Sequence, residues 1–205
     1  FLSPYLQNPI ALGADIVIYS ASKFLCGHND TIAGFVCSAK EELAAKIRLI
    51  AKTTGGCLSP FDSWLVMRGI KTLAVRMERQ QENAGNIARW LTEQKKVRKV
   101  YYAGLETHPG YEINAKQARG AGAMISFDVD SVETAQRVLE KVRVITFAES
   151  LGGTESLITY PMKQTHADVP IEVREALGVD EKLLRMSVGI ENIDDLLADL
   201  VQAFA

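Results

Sequence analysis

One short segment places the strongest constraint on the fold of this chain. The run DIVIYS at 15–20 is rich in β-branched residues and ends in small polar ones. Such a run is typical of a buried parallel strand that ends at a site. The small and polar stretch that follows, at 21–30, predicts a loop, and a second short strand is expected at 31–38. Together they predict part of an α/β sheet, with a loop at the edge where such sheets bind ligands.

A long helical pattern separates this part of the chain from the rest. Between 72 and 94 apolar residues sit at helical spacing among many charges. They are Leu73, Val75, Met77, Ala84, Ile87 and Leu91. The pattern predicts an amphipathic, partly solvated helix of the kind that joins two domains. We therefore expect one α/β unit at 1–71, a linking helix at 72–94 and a small α/β unit at 95–205.

Shorter elements flank the linking helix. The first ten residues contain two prolines and predict irregular structure. A helix is expected at 39–51 with Ser38 as its N-cap, and another from Ser59-Pro60. Beyond 95 the pattern predicts strands at 97–102, 122–129, 142–147 and 183–188, and helices at 131–141, 171–177 and 192–204. This order predicts an antiparallel or mixed sheet covered on one face.

Composition excludes several classes of function. The 23 basic side chains nearly cancel the 25 acidic ones, which argues against a nucleic-acid partner or an anionic membrane surface. No apolar run approaches the roughly 20 residues of a membrane span, and no signal-like segment opens the chain. The three cysteines show no CxxC spacing, and the three histidines are scattered. We therefore expect buried thiols, a cytoplasmic protein and no metal site.

Three chemistry-bearing residues follow the first predicted strand. Ser20, Ser22 and Lys23 lie within four positions of one another. A lysine in a surface loop most often extends into solvent, and for Lys23 alone that is the commoner interpretation. Two neighbouring hydroxyls can bind a phosphate, however, and a desolvated amine can attack an aldehyde. These are the parts needed to hold pyridoxal phosphate as a Schiff base.

The stretch YSASKFLCGHNDTIAGFV at 19–36 resembles the cofactor-lysine segment of the trans-sulfuration family of pyridoxal-phosphate enzymes, which comprises cystathionine β-lyase, cystathionine γ-lyase and cystathionine γ-synthase. Segments at 58–84, 108–129, 149–170 and 184–200 resemble the same family in the same order. The resemblance implies an α/β fold of fold-type I, like that of aspartate aminotransferase. Residues 1–71 would then be the C-terminal, incomplete part of the large cofactor-binding domain, and 95–205 the small C-terminal domain.

The resemblance implies roles for the residues around the lysine. Lys23 matches the catalytic lysine that binds the cofactor covalently and later moves protons between substrate carbons. Ser20 and Ser22 match the two hydroxyl residues that bind the cofactor phosphate. The family often has threonine at the second of these positions, so Ser22 is a mild departure that keeps the donor.

Further residues would bind the substrate. Arg185 matches the arginine that holds the substrate α-carboxylate, where a planar fork suits a carboxylate. Ser150 accompanies that carboxylate in the family, and Thr165 supports the same region. Taken alone, Arg185 could instead be an edge arginine paired with Glu181 or Glu191, and Ser150 an ordinary cap or turn hydroxyl.

Glu149 bears on which reaction the enzyme performs. It matches a position where γ-acting family members tend to carry a glutamate and the enteric β-lyases a bulky aromatic residue. A carboxylate there could accept a hydrogen bond from the distal ammonium of cystathionine. We therefore expect a lyase that cleaves the C–S bond of cystathionine or a related substrate by γ- or β-elimination. A γ-replacement enzyme, such as cystathionine γ-synthase or O-acetylhomoserine sulfhydrylase, is the alternative.

The resemblance also implies partners. Family members form a homotetramer, a dimer of dimers with shared active sites, and act on sulfur amino acids. Their pyridine-binding aspartate, ring-stacking tyrosine and phosphate loop belong to an N-terminal half, upstream of the segment seen here. Residues 1–205 alone are therefore expected to bind the cofactor poorly and to lack lyase activity. An inactive fragment that needs its N-terminal half is the third hypothesis.

Overall fold

The computed structural model describes residues 1–164 and 167–205. The helices are α1 (Ser3–Leu6), α2 (Glu41–Thr54), α3 (Pro60–Ile70), α4 (Leu73–Thr92), α5 (Tyr111–Gln117), α6 (Val132–Lys141), α7 (Ile171–Ala176) and α8 (Ile193–Phe204). The strands are β1 (Val17–Ser20), β2 (Gly34–Cys37), β3 (Val97–Tyr101), β4 (Met124–Val129), β5 (Thr146–Phe147), β6 (Leu157–Thr159) and β7 (Leu183–Ser187). A π-helical turn, Ala21–Leu25, follows β1 directly.

The first sheet consists of β1 and β2, which pair antiparallel. Among the described residues β1 thus shows antiparallel pairing and not the parallel pairing predicted at 15–20, burial along it alternates, and Ile18 is 77% exposed. The chain turns back after the π-helical turn, where the N–H groups of Ala21 and Ser22 donate to the Ala33 carbonyl oxygen at 2.8 and 3.2 Å. Those two bonds bring β2 back alongside β1, and β2 is shorter than the predicted 31–38.

The second sheet has five strands in the order β3-β4-β7-β6-β5. All pairs are antiparallel except β5 with β6, which confirms the predicted mixed sheet. On β4 the side chains of Ile125, Phe127 and Val129 are fully buried and alternate with half-exposed ones. Helices α4 and α6 pack against β4, and α8 packs on both of them, so one face of the sheet carries the core.

The strand predicted at 142–147 is much shorter in the structure, where only β5 forms. The N–H groups of Arg143, Val144 and Ile145 donate to the Asp199 carboxylate at 2.8 to 3.0 Å instead of to a neighbouring strand. Satisfied by a side chain of α8, these donors cannot extend the ladder. Strand β6 and helix α5 were not predicted.

The predicted caps are partly correct. Ser59 caps α3, since its Oγ accepts from the Asp62 N–H at 3.1 Å. Ser38 does not cap α2: its hydroxyl accepts from the Lys40 N–H and donates to the carbonyl of Asp15 at 2.7 Å. Ser38 therefore ties the segment after β2 to the segment before β1, and α2 begins later than predicted.

Helix α4 matches the helix predicted at 72–94 to within two residues at each end. Val75 does not belong to its buried face, because it is 64% exposed. The first ten residues are not wholly irregular, since α1 forms within them. No helix in the described ranges is long and apolar enough to cross a lipid bilayer.

The prediction of three buried thiols is wrong for two of them. Cys26 is buried, but Cys37 and Cys57 are exposed. Cys37 ends β2, whose residues are all exposed, and Cys57 lies in the loop between α2 and α3. Both therefore occupy surface positions that the apolar character of cysteine does not reveal.

Candidate active site

Lys23 lies at a break in the π-helical turn. The Cys26 N–H reaches the Ala21 carbonyl at 2.9 Å, closing the wide turn, and the Gly27 N–H reaches the Lys23 carbonyl at 2.8 Å. Lys23 itself has non-helical angles, φ −91° and ψ −134°. Its side chain is half-buried and lines a cleft of about 210 Å³ together with Ser20. Lys23 thus lies on the wall of a concave site and not on a convex surface.

The two predicted phosphate-binding hydroxyls differ in their surroundings. Ser20 is exposed at the end of β1, on the wall of the same cleft. The Ser22 hydroxyl accepts from the Ala33 N–H at 2.8 Å and donates to the Ala33 carbonyl at 3.3 Å. A hydroxyl has one donor and two acceptor sites, so Ser22 can turn its donor to a phosphate and still accept from Ala33.

The loop 150–153 rests on the backbone of the π-helical turn Ala21–Leu25, here called the lysine turn. Gly152 has a φ of +81°, and a Cβ there would lie 2.7 Å from the Phe24 nitrogen and 3.1 Å from the Lys23 Cα. Only glycine tolerates both the angle and this approach. The Gly152 N–H also donates to the Ser187 hydroxyl at 2.7 Å. Because Ser187 ends β7, the loop joins the lysine turn to the strand of Arg185.

Ser150 links the same loop to the segment after the lysine. Its hydroxyl donates to the Asn29 Oδ1 at 2.8 Å, and the Asn29 side-chain amide donates to the Glu155 carboxylate. Asn29 has a left-handed φ of +52°, an angle that asparagine adopts more readily than most residues. Ser150 is therefore a cross-loop contact and not a helix cap. Sequence analysis missed Asn29, for which no spacing gave a signal.

Arg185 occupies the central strand of the five-stranded sheet, paired with Ser126 and Thr159 on either side. This excludes the edge position. No carboxylate of the described residues forms an ion pair with it, and Glu191 accepts instead from the Ser156 N–H and hydroxyl.

The guanidinium of Arg185 has hydrogen-bonding capacity to spare. Its Nε is buried and has no hydrogen-bond partner among the described residues. Burial lowers the pKa of the guanidinium from its ordinary value, because desolvation disfavours the charged form. A half-buried cation with an unused donor is suited to binding a carboxylate.

The remaining two predicted site residues are less constrained. Glu149 is exposed and directly precedes Ser150, which places it at the entrance of the loop. Thr165 lies outside the described residues, as does His166. Within 1–164 and 167–205, no group of three or more His, Cys, Asp or Glu residues could hold a metal ion.

The structure brings three further residues to the site that sequence analysis did not single out. Arg76, Gln80 and Asn83 are buried on α4, and all donate to backbone carbonyls of the segments described above. Their spacing of four and three residues, inside the apolar pattern of an amphipathic helix, was a signal that could have identified them.

Comparison with known proteins identifies the family. The family model described as "Cys/Met metabolism PLP-dependent enzyme" matches residues 1–205. The chain belongs to this family. Its members depend on pyridoxal phosphate, the cofactor that the residues around Lys23 predicted. The resemblance stated from the sequence is thereby confirmed.

Relatives within the Cys/Met metabolism family include lyases of both kinds. The chain is 51% identical over 203 residues to cystathionine β-lyase of Lactococcus lactis subsp. cremoris, a match that covers 99% of this chain and 53% of the relative. It is 48% identical over 203 residues to cystathionine γ-lyase of Bacillus subtilis, covering 99% and 54%. The chain therefore spans about half the length of the curated relatives it matches.

Solved structures confirm the fold class. Cystathionine γ-lyase from Lactobacillus plantarum, crystallised with L-serine, superposes with a TM-score of 0.97 at 45% identity, covering 100% of this chain and 54% of that one. Cystathionine γ-synthase from Xanthomonas oryzae pv. oryzae, in complex with cystathionine, gives 0.97 at 43% identity, covering 100% and 53%. The chain has the α/β fold of the fold-type I enzymes.

The donor set around Lys23 fits the family cofactor. A half-buried amine and a free hydroxyl share one cleft, and a second hydroxyl stands one residue before the lysine. The amine is suited to covalent attachment to an aldehyde, and the hydroxyls to a phosphate. The unused donor of Arg185 is available for the carboxylate of an amino acid.

Proposed function

We propose that this chain carries the cofactor lysine and the substrate-carboxylate site of a pyridoxal-phosphate-dependent carbon–sulfur lyase. Its substrate would be cystathionine or a related sulfur amino acid of cysteine and methionine metabolism, cleaved by γ- or β-elimination. The observation that carries the proposal is the seating of Gly152 on the Lys23 turn and against Ser187. That contact joins the backbone of the turn that carries Lys23 to the strand of Arg185.

Lys23 would act first as the attachment point of the cofactor and then as a base. When bound, pyridoxal phosphate supplies an aldehyde for the amine and a ring that accepts electrons from the substrate. Ser20 and Ser22 would donate hydrogen bonds to the phosphate. The amine of Lys23, once released by substrate, would take the proton from the substrate α-carbon. It would then return that proton to another carbon of the substrate.

Arg185 would orient the substrate. Its planar guanidinium can hold the α-carboxylate by two parallel hydrogen bonds, and burial strengthens that interaction because few waters compete. Ser150 and Thr165 would support the same carboxylate. With the carboxylate fixed, the α-carbon proton faces the lysine, which is the positioning that elimination requires.

Glu149 would select among distal groups of the substrate. A carboxylate at the rim of loop 150–153 can accept a hydrogen bond from the distal ammonium of cystathionine. The Glu149→Tyr enzyme is therefore expected to shift its products from α-ketobutyrate toward pyruvate, with Glu149→Gln as the control that keeps the size and removes the charge. The partition is measured by keto-acid analysis after incubation with cystathionine. An unchanged partition in both variants contradicts this role.

A γ-replacement activity is the second candidate, supported by the close superposition on cystathionine γ-synthase. Such an enzyme would exchange the γ-substituent of an acylated homoserine for a thiol. Ammonia release from cystathionine and sulfide consumption with O-acetylhomoserine separate the two. The lyase proposal expects the first reaction to be faster, and a faster second reaction would replace it.

We further propose the domain organisation and assembly that the family suggests. Residues 1–71 would complete a large cofactor-binding domain, 72–94 would link it to the small domain at 95–205, and the site would lie in the crevice between them. The two separate sheets, one formed before α4 in the chain and one after it, support this division. The protein would work in the cytoplasm as a homotetramer, with an N-terminal half supplying the rest of the cofactor site. Sedimentation of the full-length gene product tests the tetramer.

A further inference from the structure

Helix α4 presents an unusual set of side chains to the interior. Arg76, Gln80 and Asn83 follow one another at intervals of four and three residues, and their exposed fractions are 3%, 0% and 0%. We propose that these residues, here called the α4 polar stripe, are positioning residues that fix Lys23 relative to the segments binding the substrate carboxylate. The inference rests on the proposed function and assigns to it residues that do not touch substrate.

Arg76 holds the C-terminal side of the lysine turn. Its Nη1 donates to the Phe24 carbonyl at 2.8 Å, and its Nη2 to the carbonyls of Leu25 and Gly69 at 3.4 and 2.9 Å. No carboxylate of the described residues pairs with it, so the buried charge is stabilised by these carbonyl dipoles and by the Thr72 hydroxyl, which accepts from the Arg76 Nε at 3.1 Å. The carbonyls left free where the turn ends are thereby satisfied. These hydrogen bonds to the two residues that follow Lys23 hold the backbone of Lys23 in place.

The lysine turn packs tightly against Arg76 and the end of α3. A Cβ at Gly27 would lie 2.0 Å from the Arg76 Nη1, and one at Gly69 would lie 2.1 Å from the Cys26 carbonyl oxygen. The end of α3 therefore meets the backbone after the lysine turn directly, and the Arg76 guanidinium fills the space beside Gly27. A displacement of this guanidinium would withdraw its hydrogen bonds from the turn.

Gln80, one helical turn further along α4, holds the loop that covers the lysine. Its Nε2 donates to the Gly153 carbonyl at 2.6 Å. Gly153 follows Gly152, which lies on the Lys23 backbone, and the same loop carries Ser150. Gln80 therefore holds this loop in contact with the backbone of Lys23.

Asn83 holds the segment that follows the strand of Arg185. Its Nδ2 donates to the carbonyls of Gly189 and Glu191 at 3.1 and 2.9 Å. Gly189 packs closely against the carbonyl of Thr154, since a Cβ there would lie 2.3 Å from it. Asn83 therefore fixes the exit of β7 against the end of the loop that carries Ser150.

The stripe leaves part of its own hydrogen-bonding capacity unused. The Gln80 Oε1 and the Asn83 Oδ1 are buried without a hydrogen-bond partner among the described residues. Apolar side chains of the same shape would remove these unsatisfied acceptors, but they would also withdraw the donors from the carbonyls of Gly153, Gly189 and Glu191. Seven residues of helix span roughly 10 Å, so a single rigid element anchors all three segments. Such a helix would keep the distance between the lysine turn and the segments of the carboxylate site constant.

The test uses the full-length gene product and nearly isosteric variants. Arg76→Met is expected to weaken pyridoxal-phosphate binding about tenfold and to shift the visible absorbance maximum, since the loss of buried charge-assisted bonds is about that large. Gln80→Met and Asn83→Leu are expected to keep the cofactor affinity and the spectrum, but to raise the KM for the amino acid substrate about tenfold with kcat within about twofold. Arg79→Met and Asn86→Leu on the same helix are matched controls, expected to change neither property.

A purely structural role would not separate an effect on cofactor binding in Arg76→Met from an effect on KM in Gln80→Met and Asn83→Leu. Unchanged cofactor affinity and spectrum in Arg76→Met, or unchanged KM in both Gln80→Met and Asn83→Leu, overturns the inference. If Arg76→Met does not fold, Arg76→Lys replaces it, with a partial shift of the same sign expected and no shift contradicting the proposal. A wild-type protein that binds no pyridoxal phosphate contradicts the proposed function itself, which these variant results would not.

Discussion

Gly152 shows how much of the site depends on the absence of one side chain. Its left-handed backbone and its contact with the lysine turn are separate constraints, and the chain offers a position that has only the first. Gly55 has a φ of +75° with nothing within 4 Å of a built Cβ, whereas a Cβ at Gly152 meets the Phe24 nitrogen at 2.7 Å. The two glycines therefore allow backbone strain and steric overlap to be measured apart.

Gly55→Ala is expected to lower the free energy of unfolding by about 1 kcal/mol, the cost of a left-handed alanine. Gly152→Ala is expected to cost about 2 kcal/mol more, because the added methyl must push the loop off the lysine turn. Urea unfolding followed by circular dichroism measures both. Equal losses in the two variants would mean that the loop does not pack on Lys23 as described.

The cysteines give a second prediction at this scale. Burial, with a smaller contribution from the hydrogen bond to Asp30, raises the pKa of the Cys26 thiol from 9.0 to about 11. As the pH rises, the thiol ionises in the unfolded chain while it is still protonated in the folded state. Its contribution to stability is therefore complete below about pH 9 and is lost as the pH rises toward 11.

Thiol labelling at pH 8 followed by peptide mass mapping tests this difference. The reagent is expected to modify the exposed Cys37 and Cys57 first, and Cys26 only after denaturation. Labelling of Cys26 at the same rate as the other two under native conditions would contradict the burial of its thiol.

Residue types predicted the centre of the site better than its supports. Lys23 and the neighbouring hydroxyls stand next to one another in the sequence, so their chemistry was visible there. The α4 polar stripe donates to backbone carbonyls that are distant in sequence, and Asn29 is bonded to the side chains of Ser150 and Glu155. Such long-range contacts leave no local pattern in the sequence. The buried polar positions of α4 were visible in its pattern but were obscured by the apolar residues between them.

At the level of elements, Asp199 explains why one predicted strand is nearly absent. Its buried carboxylate accepts three consecutive backbone N–H groups at 143–145, and the Gln202 side-chain amide as well. The apolar run at 142–147 has strand propensity, but a side chain from α8 binds its donors before a neighbouring strand can. Propensity was overridden here by a contact more than fifty residues away.

Asp199→Ala is expected to lower the free energy of unfolding by about 3 kcal/mol, because it leaves three backbone donors unpaired, one of them buried. Asp195→Ala, an exposed substitution in the first turn of the same helix, is the control and is expected to cost about 0.5 kcal/mol. Thermal and urea denaturation measure the difference. Similar losses in the two variants would contradict the capping role of Asp199.

The first sheet shows a different limit of sequence patterns. The run at 15–20 has the composition of a strand buried on both sides, yet in the described structure β1 pairs only with β2 and leaves Ile18 exposed. Periodicity reports which side chains are apolar but not which strand lies alongside. The five-stranded sheet was easier to predict, because the side chains of β4 alternate between buried and half-exposed and helix α8 follows 3.6-residue periodicity.

At the scale of the whole molecule, helix α4 connects three distant segments. Its side chains donate to carbonyls of the lysine turn, the loop 150–153 and the segment after β7. We propose that Lys23 and Arg185, more than 160 positions apart, thereby belong to one site. The family match over residues 1–205 and the superposition on cystathionine γ-lyase agree with that arrangement.

We propose that Lys23 is the residue to which the cofactor is attached. The full-length gene product is incubated with pyridoxal phosphate, reduced with borohydride, digested with trypsin and mapped by mass spectrometry. Trypsin cleaves after lysine and arginine, and Lys23 and Lys40 are the first two such residues of the 205-residue sequence. A modified Lys23 resists cleavage, so the cofactor mass is expected on a peptide that ends at Lys40. This label is expected to be lost in Lys23→Ala and kept in Lys40→Ala. Stable labelling at another lysine, or none at all, would contradict the account.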